Sequence, residues 1–259
     1  MNFNFHKYQG TGNDFIIIDN RNNNIQLTTA QVKKLCDRRF GIGADGLMLL
    51  NNKQGYDFEM IYYNADGRES SMCGNGGRCL VKFAYNQGIH KKKYLFIAVD
   101  GEHEATVEDN SWVNLKMKNV NGIAKAHYTD SILDTGSPHY VKHINNLQHF
   151  DVVKTGKEIR YSDDYKQNGI NVNFVEQNDD SIFVRTYERG VEDETLSCGT
   201  GVTAAALVYA HNDNGFNHVE VKTLGGKLAV EFDKKGENIF ENIWLCGPAD
   251  FVFKGEAEI

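Results

Sequence analysis

Apolar and polar positions alternate with a period of two over much of this chain, in short runs broken by glycine and asparagine, which predicts many short strands. Residues 3–8 and 15–19 read as strands around the turn Gly10-Thr-Gly-Asn-Asp14. A helix is predicted over 30–40, with Thr28 or Thr29 as its cap and Val32, Leu35, Cys36 and Arg39 at helical spacing, ended by Gly41. A strand over 56–63 delivers Asn64-Ala-Asp-Gly67 into a loop that ends at Cys73, and a helix over 75–87 closes at Gly88. Strands at 94–99 and 102–107 flank the hairpin signal Asp100-Gly101, and 112–118 continues the alternation. Beyond it, strands are predicted at 138–144, 170–176 and 181–188, with a short helix near 156–161. A strongly apolar helix over 200–211 should be buried on nearly all sides. Strands at 218–223 and 227–232 flank Gly225-Gly226, and 238–246 and 250–253 complete the pattern.

One succession occurs twice: strand, loop, Cys-Gly-x-Gly, helix, glycine, hairpin. Its first copy holds Met72-Cys-Gly-Asn-Gly-Gly-Arg-Cys-Leu80 and its second Ser197-Cys-Gly-Thr-Gly-Val202. Tyr63 precedes Cys73 by ten residues and Tyr187 precedes Cys198 by eleven, and the thiols are 125 residues apart, close to half the chain. An internal repeat of this length predicts two similar domains related by a pseudo-two-fold, with a site where their equivalent loops face each other. The expected division is 1–118, carrying Cys73, with the tail 250–259 packing back on it, and 119–249, carrying Cys198.

Charge and composition narrow the partners. A net charge of −7, with no basic run beyond Lys91–Lys93, argues against nucleic acid and anionic membrane. The N-terminal residues lack a signal-peptide pattern, and no apolar run approaches the roughly 20 residues that span a bilayer. Five cysteines, an odd number without C-x-x-C spacing, fit neither a disulfide framework nor a structural zinc site, so a reduced, cytoplasmic protein is expected. Gly41-Ile-Gly-Ala-Asp-Gly46 matches G-x-G-x-x-G by letter. A helix precedes it and strand-like residues follow, the reverse of a dinucleotide fingerprint, so it is read as a turn.

Each Cys-Gly-x-Gly places a thiol at a helix start, where amides ahead of the helical ladder can face an anion and the helix dipole favours thiolate. One such turn alone is more often a packing feature than a reactive site. Two copies at equivalent places suit a reaction symmetric about one carbon: inversion of a stereocentre beside a carboxylate, one thiolate removing the α-proton while the opposite thiol protonates the other face. A thiol's ordinary pKa of about 8.5 lets either act as base or acid near neutrality. Amides at Gly74–Gly76 and Gly199–Gly201 would stabilise the charge that develops on the carboxylate, with neither metal nor pyridoxal phosphate required. Cys36, Cys79 and Cys246 lie inside apolar patterns and are assigned to the core. A Cys73–Cys198 disulfide conflicts with a reducing compartment. A nucleophilic scheme with His139 as base leaves the second thiol idle.

Several segments together resemble the diaminopimelate epimerase family: Lys7-Tyr-Gln-Gly-Thr-Gly-Asn-Asp-Phe15, Arg39-Phe-Gly-Ile-Gly-Ala-Asp45, Tyr63-Asn-Ala-Asp-Gly67, Cys73-Gly-Asn-Gly76, Pro138-His139, Glu188-Arg-Gly190 and Cys198-Gly-Thr-Gly201. The resemblance covers essentially the whole chain. It implies an α+β (mixed α/β) fold of two pseudo-symmetric domains, each a barrel-like, mostly antiparallel sheet around a central helix, with the active site in the cleft between them. It also implies a homodimer and cofactor-independent interconversion of LL- and meso-diaminopimelate in bacterial lysine and peptidoglycan precursor synthesis. Cys73 and Cys198 are then the acid/base pair. Substrate contacts carry over to Asn13, Asn64, Gly74, Asn75, Asn171, Glu188, Arg189, Gly199 and Thr200, with Arg189 gripping a distal carboxylate and His139 and Ser137 in support. The layout is also similar to the proline-racemase group. Proline or hydroxyproline racemisation is therefore the alternative activity, although a proline-sized substrate offers nothing for Glu188 and Arg189 to hold. A non-catalytic amino-acid binder would need neither thiol. Two positions depart from the commoner family pattern: Gly46 stands where many members have Gln, and Ser137 where many have Asn.

Overall fold

Strand alternation builds most of the molecule, and two helix-crossed parallel pairs organise each half of it. A computed structural model describes residues 2–108, 112–126, 129–178 and 180–258. The fold is mixed α/β and mostly β-sheet, and the chain divides into two units, Met1–Leu115 with Gly247–Ile259, and Lys116–Cys246.

In the first unit β1 (Asn2–Gly10) and β2 (Asn13–Asp19) form a hairpin whose turn residues, Thr11 and Gly12, both have positive φ. Helix α1 (Thr29–Cys36) then crosses to β3 (Gly46–Asn51), parallel to β2, and β4 (Phe58–Asn64) returns antiparallel. Helix α2 (Gly74–Asn86) crosses to β5 (Lys93–Ala98), parallel to β4, and a hairpin leads to β6 (Gly101–Val107), with β7 (Val113–Lys116) beside it. The pleat sorts the side chains. Ile16, Ile18, Leu47 and Leu49 bury one face with Val32, Leu35 and Cys36 of α1. Phe15 and Met48 present the other face to α2, whose Gly76 lies against them.

The second unit opens with the short strands β8 (Val120–Asn121) and β9 (Ala124–Lys125), then β10 (Ser131–Asp134) and β11 (Pro138–His143). A 3₁₀ turn at Leu147–His149 and α3 (Val152–Arg160) cross to β12 (Asn171–Gln177), parallel to β11, and β13 (Ser181–Glu188) returns antiparallel. After β14 (Asp193–Thr195), α4 (Gly199–Val208) crosses to β15 (Gly215–Thr223), parallel to β13, followed by β16 (Gly226–Lys234) and β17 (Ile239–Gly247) as a meander. Tyr140, Val172, Phe174, Phe183 and Tyr187 form the cluster that takes up Val152 of α3. The opposite side meets α4, in which Gly199 and Gly201–Leu207 are all buried. The last strand, β18 (Asp250–Glu258), pairs antiparallel with β1 in the first unit; position 259 of the expected tail lies outside the described residues.

Three helix boundaries differ from expectation, two of them for visible local reasons. α1 stops at Cys36, not Phe40, because Asp37 turns extended and its carboxylate accepts the amides of Arg39 and Phe40 at 2.8 and 2.7 Å. Ile42 and Gly43 then donate to Leu35 O, and Ala44 to Cys36 O, so the Gly41–Gly46 run caps α1 rather than binding a nucleotide. α3 begins at Val152, with Asp151 accepting from Lys154 N at 3.0 Å. Gly156, read as its start, is a close approach: a Cβ there would lie 2.4 Å from Tyr187 Cβ. α4 spans Gly199–Val208, so the stretch 209–211 is not helical. Strands β8, β9, β10 and β14 are too short for alternation to reveal. No helix among the described residues is long and apolar enough to cross a membrane.

Candidate active site

In the first unit Cys73 is the N-cap of α2, extended at φ −92°, ψ 132°, and its carbonyl accepts the first helical bond from Gly77 N at 2.7 Å. The amides of Gly74, Asn75 and Gly76 thus lead the ladder at the positive end of the helix. The half-buried thiol donates to Asn13 Oδ1 at 3.7 Å, so the structure brings two expected site residues together. Asn13 Nδ2 donates to Asp45 Oδ2 at 2.6 Å, and Asn64 ends β4 as the cross-strand partner of Gly46. Asn75 turns its side chain inward beside Thr11 Oγ1, which leaves its backbone as the group at the helix start.

Ionic contacts brace this end. Asp14 meets Lys7 Nζ at 2.8 Å and the Arg38 guanidinium at 2.6 Å, and Arg38 also reaches Asp45 at 2.7 Å. Partial burial pushes the Asp14 carboxyl up, but the Arg38 and Lys7 donors outweigh it and hold it at about 2. Sequence reasoning missed Arg78, which is fully buried under the turn and donates to Gly74 O, Thr11 Oγ1 and Pro248 O. Its signal was a charged residue inside the apolar run after the cysteine. Burial lifts the Cys36 thiol to about 12 and Cys79 higher still, so both stay protonated in the core.

In the second unit Cys198 caps α4 the same way, at φ −115°, ψ 112°, with Val202 N donating to its carbonyl at 2.8 Å. Its Sγ lies 3.5 Å from Thr200 Oγ1, and Thr135 Oγ1 donates to Thr200 O at 2.9 Å. Asn171 gathers two expected residues, Ser137 and Arg189: its Nδ2 donates to Ser137 Oγ at 2.9 Å and to Pro138 O at 3.2 Å, and its Oδ1 accepts from Arg189 N at 2.9 Å. The exposed Arg189 guanidinium donates to Ser137 Oγ and Asn168 O, lying over Gly169, where a Cβ would come within 2.6 Å of Arg189 Cδ. Glu188 accepts from Thr195 Oγ1 at 2.9 Å.

His139 sits fully buried beneath α4. Burial first, then the nearby Arg189 charge, drives its pKa down to about 3, so the ring is neutral at physiological pH. Thr186 Oγ1 donates to Asn173 Oδ1, which turns the Asn173 amide to donate to His139 Nδ1 at 3.0 Å and Tyr140 O at 3.0 Å. An accepting Nδ1 on a neutral imidazole puts the proton on Nε2, which has no protein acceptor among the described residues. Asn173 was not anticipated; its polar side chain at the middle of a buried strand was the available clue.

Comparison with known proteins follows this geometry. A family profile described as Diaminopimelate epimerase matches residues 5–122 and 131–252. The diaminopimelate epimerase of Flavobacterium psychrophilum is 55% identical over 255 residues, covering 96% of this chain and 98% of the relative. This chain belongs to the diaminopimelate epimerase family. The family is one of isomerases, and the motif-based expectation is borne out. The diaminopimelate epimerase of Chlorobaculum tepidum is similar at 44% identity over 256 residues, covering 95% of this chain and 98% of the relative. Among solved structures, a phenazine biosynthesis protein of the PhzF family from Bacillus anthracis aligns over 100% of both chains with a TM-score of 0.78 at 15% identity. A hydroxyproline epimerase from Agrobacterium vitis, bound to trans-4-OH-L-proline, aligns over 99% of this chain and 92% of its own with a TM-score of 0.67 at 12% identity. At such identities the likeness is one of fold.

Proposed function

We propose that the protein interconverts LL- and meso-diaminopimelate by two-base proton transfer between Cys73 and Cys198, serving lysine and peptidoglycan precursor synthesis. The observation that carries the reading is the matched pair of thiols, each the N-cap of a largely buried helix inside a Cys-Gly-x-Gly turn. One thiolate takes the α-proton: a C–H bond breaks, an S–H bond forms, and charge flows onto the α-carboxylate. The opposite thiol then protonates the other face of the carbon, and the roles exchange for the reverse reaction. Amides of Gly74–Gly76 and Gly199–Gly201 stabilise the charged state, each such donor being worth about 3–4 kcal/mol in comparable sites. The scheme requires the two units to close on one α-carbon in a cleft, each a barrel-like sheet around its helix α2 or α4.

Asn13, Asn64, Gly74 and Asn75 serve the substrate from one unit, and Asn171, Glu188, Arg189, Gly199 and Thr200 from the other. Arg189 takes the distal carboxylate, and Ser137 and Asn171 set its position. Neutral His139 offers Nε2–H as a donor and helps polarise the site rather than acting as base. The protein works as a cytoplasmic homodimer; exposed Phe251, Val252 and Phe253 on β18 supply apolar surface for a second copy.

The test is α-proton exchange of diaminopimelate in D2O with reduced protein, followed by NMR. Wild type should exchange and epimerise, and Cys73→Ala or Cys198→Ala should lose activity by about 10²-fold or more. Full turnover in either variant refutes the two-thiol scheme, and turnover of proline but not diaminopimelate refutes the substrate.

A further inference from the structure

The glycine run Gly41–Gly46 does more than end α1. It folds the chain tightly back over that helix: a Cβ at Gly41 would lie 2.0 Å from Lys34 O, and Gly43 has φ +81°. The run thereby sets Asp45 beside the first residues of β2, where its backbone and side chain are both held. The Asp45 amide donates to Asp14 O at 2.9 Å, and its carbonyl accepts from Ala65 N at 3.0 Å. Of its carboxylate oxygens, Oδ1 accepts from Arg38 Nη2 at 2.7 Å, while Oδ2 accepts from Asp14 N at 3.2 Å and Asn13 Nδ2 at 2.6 Å.

The last of these contacts fixes which way the Asn13 amide faces. A carboxylate paired with a guanidinium has no proton to give, so it takes the NH2 end of the amide and leaves Oδ1 for the other side. There Oδ1 meets Cys73 Sγ at 3.7 Å. A carbonyl oxygen accepts from S–H and offers a thiolate nothing, so this contact favours the protonated thiol. The positive end of α2 pulls the same group the other way, toward thiolate. An Asn13 amide turned over would present Nδ2 and add to the helix instead of opposing it.

We propose that Asp45 is a positioning residue for Cys73: it locks the Asn13 amide with its carbonyl toward the thiol, so that Cys73 waits as a proton donor. The catalytic meaning rests on the two-thiol reading above. In the second unit the neighbour of the thiol is Thr200 Oγ1 at 3.5 Å, and a hydroxyl can accept from a thiol or donate to a thiolate. That contact suits either form of Cys198, whereas the amide held by Asp45 suits only one form of Cys73.

The test reads the thiol directly. Reduced full-length protein is alkylated with iodoacetamide from about pH 6 to 10, and modification of Cys73 is followed by peptide mass spectrometry. Asn13→Ala removes the accepting carbonyl, so the Cys73 midpoint should fall by about half a pH unit or more. Asp45→Asn releases the lock and should lower it too. That substitution also removes a negative charge, so the deciding measurement is the double variant. If Asp45 acts through Asn13, Asp45→Asn shifts the midpoint less in the Asn13→Ala background than alone. Equal shifts in both backgrounds would reduce Asp45 to a local charge and overturn the proposal, as would an unmoved midpoint in Asn13→Ala. Lys7, Asp14, Arg38, Arg78, Cys79 and Asp100 flank this turn and are retained in all three variants. Arg38→Ala dismantles the ion cluster yet keeps the carboxylate, so it should not lower the midpoint. A fall there as large as in Asp45→Asn would mean that the cluster, not the amide lock, sets the thiol. Alkylation needs no substrate, so these outcomes stand apart from wild-type protein failing to turn over diaminopimelate, which would remove the two-thiol reading alone.

Discussion

The two cysteine turns share backbone geometry and differ in what holds them. Cys73 is half-buried, hydrogen-bonded to Asn13, and its surroundings are braced by ions at the edge of solvent: Asp14, Arg38 and Asp45. Cys198 is 9% exposed, lies beside its own Thr200, and stands over a buried network of Asn173, His139 and Thr186. The helix cap creates the local chemistry in both places, but one support is ionic and adjustable and the other is packed and rigid.

The glycines three residues after each thiol should break this likeness most strongly. A Cβ on Gly76 meets Met48 Sδ and the Phe15 ring at 3.4 Å, ordinary contact. A Cβ on Gly201 would stand 2.2 Å from Asn173 Oδ1, in a side chain already tied to Thr186, His139 and Tyr140. Gly201→Ala should therefore cost about 1–3 kcal/mol in urea unfolding and most of the activity, because Asn173 must move and His139 with it. Gly76→Ala should change stability by under about 1 kcal/mol, since a helical alanine offsets the tighter fit. Equal losses would mean the two supports are alike.

That asymmetry explains how far the sequence could be read. Cys73 and Cys198 were legible because glycine, thiol and apolar run recur at matched spacing, and the family motifs named Asn13, Asn171 and Arg189. Asn173 and Arg78 were not, because a polar group satisfied inside a core leaves no periodic trace. Alternation revealed the long strands, whereas the two-residue pairs β8 and β9 depend on tertiary partners. The end of α1 was misjudged because apolar spacing runs past Asp37 while the Asp37 carboxylate had already diverted the backbone. Gly156 looked like a helix boundary although its reason is contact with Tyr187, which only the packed structure supplies.

A smaller effect is expected from acid. His139 is held at about 3 against an ordinary value near 6.5, so the unfolded chain binds its proton first. Its contribution to stability is complete above about pH 6.5 and is lost as pH falls toward 3, by at most about 1.4 kcal/mol per pH unit. Urea midpoints measured from pH 7.5 to 4.5 should fall in wild type and fall less steeply in His139→Gln. The same slope in both would show that the buried ring is not the titrating group.

The weakest change tests the ionic support itself. Arg38 is 58% exposed, so Arg38→Ala should cost under about 1 kcal/mol at pH 7, where solvent screens the pair. Its mark should instead be on acid titration. Asp14 is held at about 2 by Arg38 and Lys7, below its ordinary value, so its stabilisation is present above about pH 4 and is lost as pH falls through 2. Without Arg38 the carboxylate keeps Lys7, a buried partner 2.8 Å away, and its pKa should rise part of the way back. Carboxyl chemical shifts of Asp14 followed by NMR should then titrate at higher pH in Arg38→Ala than in wild type. Gly201, His139 and Asn173 should be undisturbed, because none of them touches this network. An unmoved Asp14 titration would assign the whole depression to Lys7, making the Cys73 side as dependent on a buried group as the Cys198 side.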